Sequence, residues 1–255
     1  MRAGPNYDLT NQWRFNSDEA RDDPASRKEY VEKWADRVGV TFEVAWYWFC
    51  TDQLAAISFA KDPRRQTAHE KIAASWIETI PGVRNFRNLP SSGPDALYVQ
   101  NGKIMGDHEL ANKNTPKSID FIWDMQIPVT GEVISFYAAH KFTSGPGGSQ
   151  ENQYKDLRDF TYQAAELTRD CGVRILSLAD GPFYSMKPSG EKLSRMSILK
   201  QAASIRGGHY SRAMTTADLP DYLSEVVSNS VSDITLSQPE DAIVRGWVDR
   251  IQGYA

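Results

Sequence analysis

Asp120 and Lys141 are the residues whose setting calls for chemistry. Asp120 lies in Ser118-Ile119-Asp120-Phe121-Ile122-Trp123, where a carboxylate between large apolar neighbours is costly to bury without a partner or a metal ion. Lys141 closes the run Phe136-Tyr137-Ala138-Ala139-His140-Lys141. Taken singly, Asp120 also reads as a carboxylate capping a turn and Lys141 as a solvated edge lysine. Taken in order, at the ends of two adjacent apolar strands, they read as one centre, with Asp124 as a second candidate for its first acid. Downstream, Ser149, Gln150, Asn152 and Gln153 include the amides that can make paired hydrogen bonds to base edges. The same types start helices, with Ser149 or Asn152 as the N-cap.

Periodicity and turn residues define the elements that must hold these groups. Residues 118–123 and 132–142 are rich in Ile, Val, Phe and Tyr and are joined through Pro128 and Gly131, which predicts two strands. After a flexible bend at 144–148, Leu157, Phe160, Ala164 and Leu167 recur at helical spacing, predicting a helix over 152–171 that Gly172 ends. Residues 173–178 form a short apolar strand closed by Asp180-Gly181-Pro182. Strand, strand, helix and strand make a mixed sheet with a crossover helix, which tends to place functional groups at strand ends. Upstream, the polar residues 1–28 read as an extended or loosely packed arm. A helical pattern follows from Lys28 to about Ala60, with the aromatic run Phe42 to Phe49 as core or subunit contact. After Lys61-Asp62-Pro63, a helix over 66–80 is stopped by Pro81-Gly82, and 95–104 is a hairpin around Asn101-Gly102. Towards the carboxyl end, helices are expected at 191–205, 219–227 and 241–252, with a short strand after Gly207-Gly208. The reading is an α/β chain forming a single domain over 1–255, with a helical N-terminal region (about 28–80) and a catalytic core at about 94–185.

On these residues the chain resembles the PD-(D/E)xK nucleases, and among them the type II restriction endonucleases, whose pattern is an Asp on one strand, then an acid, any residue and a Lys on the next. Asp120 matches the first acid and Ala139-His140-Lys141 the tripeptide. Gly147-Gly148-Ser149-Gln150-Glu151-Asn152-Gln153, the helix, and then Leu178-Ala179-Asp180-Gly181-Pro182-Phe183-Tyr184 extend the resemblance over about residues 115 to 185. It implies a restriction-endonuclease-like mixed central sheet flanked by helices, and Mg²⁺-dependent hydrolysis of double-stranded DNA at a short specific site. It also implies a homodimer and a cognate DNA methyltransferase in the same system. The metal would be held by Asp120, by the position of Ala139 and by the main-chain carbonyl of His140, whose imidazole points to the other face. Lys141 would sit beside the attacking water and lend charge to the transition state.

Ala139 is the departure, since alanine has no metal-binding side chain. An engineered Glu-to-Ala change, an acid supplied from elsewhere such as Glu132 or Asp124, and a natural loss of activity are the competing explanations. Pro94-Asp95 with Gly102-Lys103 imitates the motif's name more literally. However, Asn101 stands two positions before Lys103 and no helix follows, so this pair is set aside. Arg195, Lys200, Arg206 and Arg212 form the most basic carboxyl-terminal stretch, with Arg206 taken as a DNA contact and a solvated helix face as the plain reading. His69-Glu70 offers a further acid or an ordinary exposed pair.

The 255 residues carry a net charge of -4 and a pI of about 5.6, which argues against holding DNA by bulk electrostatics but allows a locally basic cleft. No apolar run approaches the roughly 18 to 20 residues a bilayer span needs, and the amino-terminal residues lack a secretory apolar stretch, so a cytoplasmic protein is expected. Cys50 and Cys171 are too far apart in sequence for a zinc or redox pair and read as reduced thiols. A site-specific endonuclease is the leading function. A non-catalytic, sequence-specific DNA-binding protein on the same fold and a repair or junction-resolving nuclease are the alternatives.

Overall fold

The computed structural model describes residues 4–59, 68–110, 116–145, 147–169, 171–206, 209–232 and 234–253. Where the sequence suggests one domain, chain contacts define two compact units, Pro5–Ala73 and a larger one comprising Gly4 and the described residues from Ala74 onward.

The smaller unit is helical. Where an extended or loosely packed arm is expected, the described residues 4–28 instead carry helix α1 (Leu9–Asp22), started by the Asp8 carboxylate accepting from Asn11 N. Its buried side chains are Gln12, Asn16, Ser17 and Ala20, small or amide residues that carry no apolar periodicity to read. Helices α2 (Lys28–Val38), α3 (Phe42–Thr51) and α4 (Gln53–Phe59) follow. Phe49 and Phe59 meet edge to face at 5.6 Å, and Trp34 stands on Phe59 at 4.8 Å. The aromatic run is therefore core only in part, because Tyr47 and Trp48 of α3 remain exposed. Helix α5 (Ala68–Glu78) begins in this unit and ends in the larger one; the Lys61-Asp62-Pro63 break and the expected start at Gln66 lie outside the described residues.

The larger unit is mixed α/β. Strands β1 (Val83–Asn88), β4 (Phe121–Gln126), β5 (Val133–Phe142), β6 (Val173–Asp180) and β7 (Ser211–Met214) form one sheet in the order β1-β4-β5-β6-β7. The β1, β4 and β5 pairings are antiparallel, and β5, β6 and β7 run parallel. Parallel neighbours need a crossover, supplied between β5 and β6 by α6 (Gly148–Ala165) and between β6 and β7 by α7 (Arg195–Ser204). Leu157, Phe160 and Ala164 of α6 pack with Leu199 and Ala203 of α7 over Ile122, Ala139, Ile175 and Ala179 of the sheet. Strand β6 is buried along nearly its whole length, as expected of a central parallel strand covered on both faces. Helices α8 (Leu219–Val231) and α9 (Gln238–Gln252) complete the chain.

Helix α6 begins four residues before the expected Asn152 and ends at Ala165 rather than near Cys171. Glu151 in its first turn suits the positive end of the helix dipole and also pairs with Arg195. Beyond Ala165 the chain turns so that Leu167 still packs into the core. The hairpin of β2 (Leu97–Gln100) and β3 (Lys103–Gly106) is built as expected. Asn101 and Gly102 take φ of 52° and 71°, the positive values of a tight type I′ turn. Gly102 sits so close to the end of α6 that a Cβ would lie 2.4 Å from Leu167 N, so no other residue fits there. Lys103, set aside above, belongs to this separate two-stranded sheet. Among the described residues no helix is long and apolar enough to cross a membrane, and Cys50 and Cys171 are free and exposed.

Candidate active site

Asp120 precedes β4 and lies beside β5: its N–H donates to Ala138 O at 2.8 Å, its carbonyl accepts from Leu89 N at 2.8 Å, and its carboxylate accepts from His140 N at 2.7 Å. The paired register starts one residue later, with Phe121 opposite Ala138. Every second residue along a strand shares a face, so within β5 Ala139 and Lys141 share one side, on which Ala139 packs with residues of α6. The structure thus sets the Asp120 carboxylate against the peptide that joins Ala139 to His140.

Their surroundings differ from those of an open metal centre. Asp120 is only 6% exposed, and both its oxygens are engaged. Lys117 Nζ donates to Oδ1 and Oδ2 at 2.6 Å each, and His140 N donates to Oδ2 at 2.7 Å. Lys117 also donates to Ser118 O at 2.9 Å, and the side chains of this ion pair are both more than nine-tenths buried. Ala139 is fully buried in the cluster that also contains Ile122, Tyr154, Leu157 and Tyr184, while Lys141 is half-buried. Burial pushes the phenols of Tyr137, Tyr154 and Tyr184 above the usual tyrosine range, so they stay neutral near pH 7.

Neither substitute acid can reach Ala139. Asp124 accepts from Ser135 Oγ at 2.7 Å and Asn85 Nδ2 at 2.9 Å, and four strand residues put it about 13 Å from Asp120. Glu132 is exposed at the opposite end of β5, about 23 Å from Ala139 along the strand. The reading in which Glu132 or Asp124 replaces the missing acid is thereby corrected. Among the described residues no group of three or more His, Cys, Asp and Glu side chains is placed to hold a metal ion. One carboxylate, already bonded at both oxygens, does not fit a Mg²⁺ ion held by paired carboxylates.

The imidazole of His140 points through the sheet to the other face, as the resemblance implied, and is fully buried there. Its Nε2 lies 3.0 Å from Asp180 Oδ2. Asp180 also accepts from Thr216 N at 2.9 Å and from Thr216 Oγ1 at 2.5 Å. Asp120, the His140 peptide, the His140 ring, Asp180 and Thr216 thus form one connected polar chain across the sheet. Lys117, Asp180 and Thr216 were not singled out as site residues in the sequence.

The downstream polar residues occupy the first turns of α6. The N-cap is Gly147, which makes no side-chain cap bond, so Ser149 and Asn152 do not cap the helix and that reading is corrected. Ser149 and Asn152 are exposed and Gln150 and Gln153 half-buried; Ser149 Oγ donates to Gln150 Oε1 at 2.9 Å, and Gln153 Oε1 accepts a long bond from Thr143 Oγ1 at 3.4 Å. Arg206 is not near them. It pairs with Glu166 at 3.0 Å, at the other end of α6 and about 24 Å from Gln150 along the helix axis. Arg195 is buried, stacked 3.9 Å over the Phe183 ring, and Arg212 pairs with Glu225 at 2.8 Å, so the basic stretch is not a single surface. The Gly207-Gly208 turn lies outside the described residues. His69 packs on Tyr7 at 6.1 Å within the smaller unit.

No protein-family model matches the chain, and no curated protein or solved structure matches it.

Because none of these amides caps α6, single alanine variants of Gln150, Asn152 and Gln153 are expected to melt within about 0.5 kcal/mol of the parent. A loss of about 1 kcal/mol, as for a removed cap, would restore the structural reading. If an amide reads a base, the same variant weakens binding to the preferred duplex by about 1–3 kcal/mol and leaves non-specific binding little changed.

Proposed function

We propose that this chain binds double-stranded DNA at a short specific site through a centre of the type II restriction-endonuclease kind, which cannot cut while alanine occupies position 139. The observation that carries the reading is the Asp120 carboxylate bonded to the His140 N–H, between the motif positions Ala139 and Lys141, which share one face of β5. Supporting it is the polar start of α6 immediately after the lysine strand, where exposed and half-exposed amides are available for contacts outside the protein. In this reading Asp120 is the retained acid, Lys141 places positive charge beside a phosphate, and position 139 decides between binding and hydrolysis. A homodimer is the simplest assembly, since two copies present two centres to the two strands of a symmetric site, and a methyltransferase protecting the same site completes the proposal.

Selection from random duplexes followed by affinity measurement tests the proposal. The chain as it stands is expected to prefer one sequence over unrelated duplexes by about 10³-fold or more at physiological salt, without Mg²⁺ and without nicking the DNA. Equal affinity for all duplexes would overturn the specific-binding reading.

A further inference from the structure

We propose that Lys117 is the resident cation of this centre: its ammonium takes the place beside Asp120 that a metal ion would need, and it leaves the chain unable to hold a divalent ion there. The location rests on the functional reading above, but the argument is one of charge and geometry. Burying a carboxylate demands a compensating positive charge or several donors. Asp120 receives both from within the chain, an ammonium at 2.6 Å from each oxygen and the His140 N–H at 2.7 Å. The pair is shut away from solvent on both sides.

A second carboxylate is what would give a dication the advantage over a lysine. The pair Asp120 and Lys117 sums to zero, so a dication entering beside it would raise the local charge to about +2 with one carboxylate to bind. Small hard cations are held by several oxygen ligands at once, and Ala139 contributes none. The alanine and the lysine are in this sense complementary: the position that lacks a charge adjoins the peptide that holds an already neutralised carboxylate. Counting Asp120, Lys117 and Lys141, a Glu at position 139 would bring the sum from about +1 to about 0, and removal of the Lys117 ammonium would take it to about -1.

The test needs no DNA, so its failure and the failure of the DNA-binding reading are told apart. Mn²⁺ is titrated into the chain, with free Mn²⁺ followed by electron paramagnetic resonance. Wild type and Asp120→Asn are expected to give the same weak, non-stoichiometric binding, whereas a one-to-one site present in wild type and lost in Asp120→Asn would overturn the proposal. On the Ala139→Glu background, adding Lys117→Met is expected to tighten Mn²⁺ binding at least tenfold; equal affinity with and without Lys117 would also overturn it. Should the methionine variants fail to fold, wild-type protein answers the question through lysine acetylation mapped by mass spectrometry. Lys117 is expected to be at least tenfold slower to react than the exposed Lys192, with or without Mn²⁺. Reaction at the rate of Lys192, or marked acceleration by Mn²⁺, would show that the ammonium is not the fixed occupant.

Discussion

Replacing Ala139 by Glu is expected to turn a protein that only binds DNA into one that cuts it, in the presence of Mg²⁺ or Mn²⁺ and at the site the parent prefers. The expectation follows from the place of residue 139 on β5. Position 139 directly precedes the His140 N–H that holds the Asp120 carboxylate, so a carboxylate introduced there arrives next to the one acid the centre keeps. Two carboxylates can hold a divalent cation able to generate a nucleophile and stabilise a phosphorane, provided that the cation displaces the Lys117 ammonium from Asp120, so cutting should be weak with Lys117 present and faster in Ala139→Glu with Lys117→Met. The substitution also has a cost. Ala139 is fully buried in a packed cluster, and forcing a larger side chain into such a place typically destabilises by about 1–3 kcal/mol. The variant should therefore melt below the parent without metal and regain part of the loss when Mg²⁺ is added, because a ligand that binds only the folded state stabilises it. Adding Lys141→Ala to Ala139→Glu should lower the cutting rate by about 10²–10³-fold, the usual effect of removing one group that stabilises charge in the transition state, without restoring the parent's melting temperature. A variant that folds and binds the same duplex yet never cuts with either metal would show that the missing acid is not what silences the chain.

The parts of the fold legible in the sequence are those written in a single period. Strand β5 is a run of branched and aromatic residues and Asn101-Gly102 fixes a two-residue turn, and both are found close to where they were expected; α6 repeats its apolar side chains at helical spacing and is found, with its ends displaced by four and six residues. Helix α1 was missed because it buries Gln12, Asn16 and Ser17, and a helix whose inner face is polar and small has no hydrophobic stripe to see. The centre divides in the same way. Ala139 and Lys141 were legible because strand alternation puts them on one face of β5, and Asp120 because it directly precedes the neighbouring apolar strand. Lys117 was hidden by that same rule: three residues from Asp120, strict alternation assigns it to the opposite face. Regular strand geometry does not begin until Phe121, so alternation does not apply to Lys117, whose ammonium reaches both oxygens of the carboxylate. Asp180 read as a turn residue after an apolar strand, and nothing in the sequence marks Thr216, thirty-six positions later, as its donor.

Substituting Asp180 by Ala is expected to be among the most destabilising single changes in the larger unit, at about 3–5 kcal/mol, the usual range when one partner of a buried polar pair is removed. Three bonds end on this carboxylate, from Thr216 N, Thr216 Oγ1 and the His140 ring. The ring is fully buried and the carboxylate nearly so, so water cannot replace what is lost. Thr216→Val removes only the hydroxyl and keeps the backbone donor and most of the volume, so its cost should be nearer 1–3 kcal/mol. Asp180→Asn should fall below Asp180→Ala, since the amide keeps an acceptor for Thr216 N while the Thr216 hydroxyl can reverse its role towards the amide nitrogen. Chemical denaturation of the three variants gives the order directly, and Asp180→Ala within about 1 kcal/mol of wild type would remove the carboxylate from any structural role. Hydrogen exchange adds what melting cannot. The His140 N–H donates to Asp120 on one face while its ring is held by Asp180 on the other. Loosening the ring should therefore speed exchange at the His140 amide more than at Ala138, whose side chain shares the His140 face without contacting Asp180 through a polar group. Uniform acceleration along β5 would mean that Asp180 stabilises the sheet as a whole, whereas acceleration centred on His140 would mean that the polar chain holds the peptide between Ala139 and Lys141 in place.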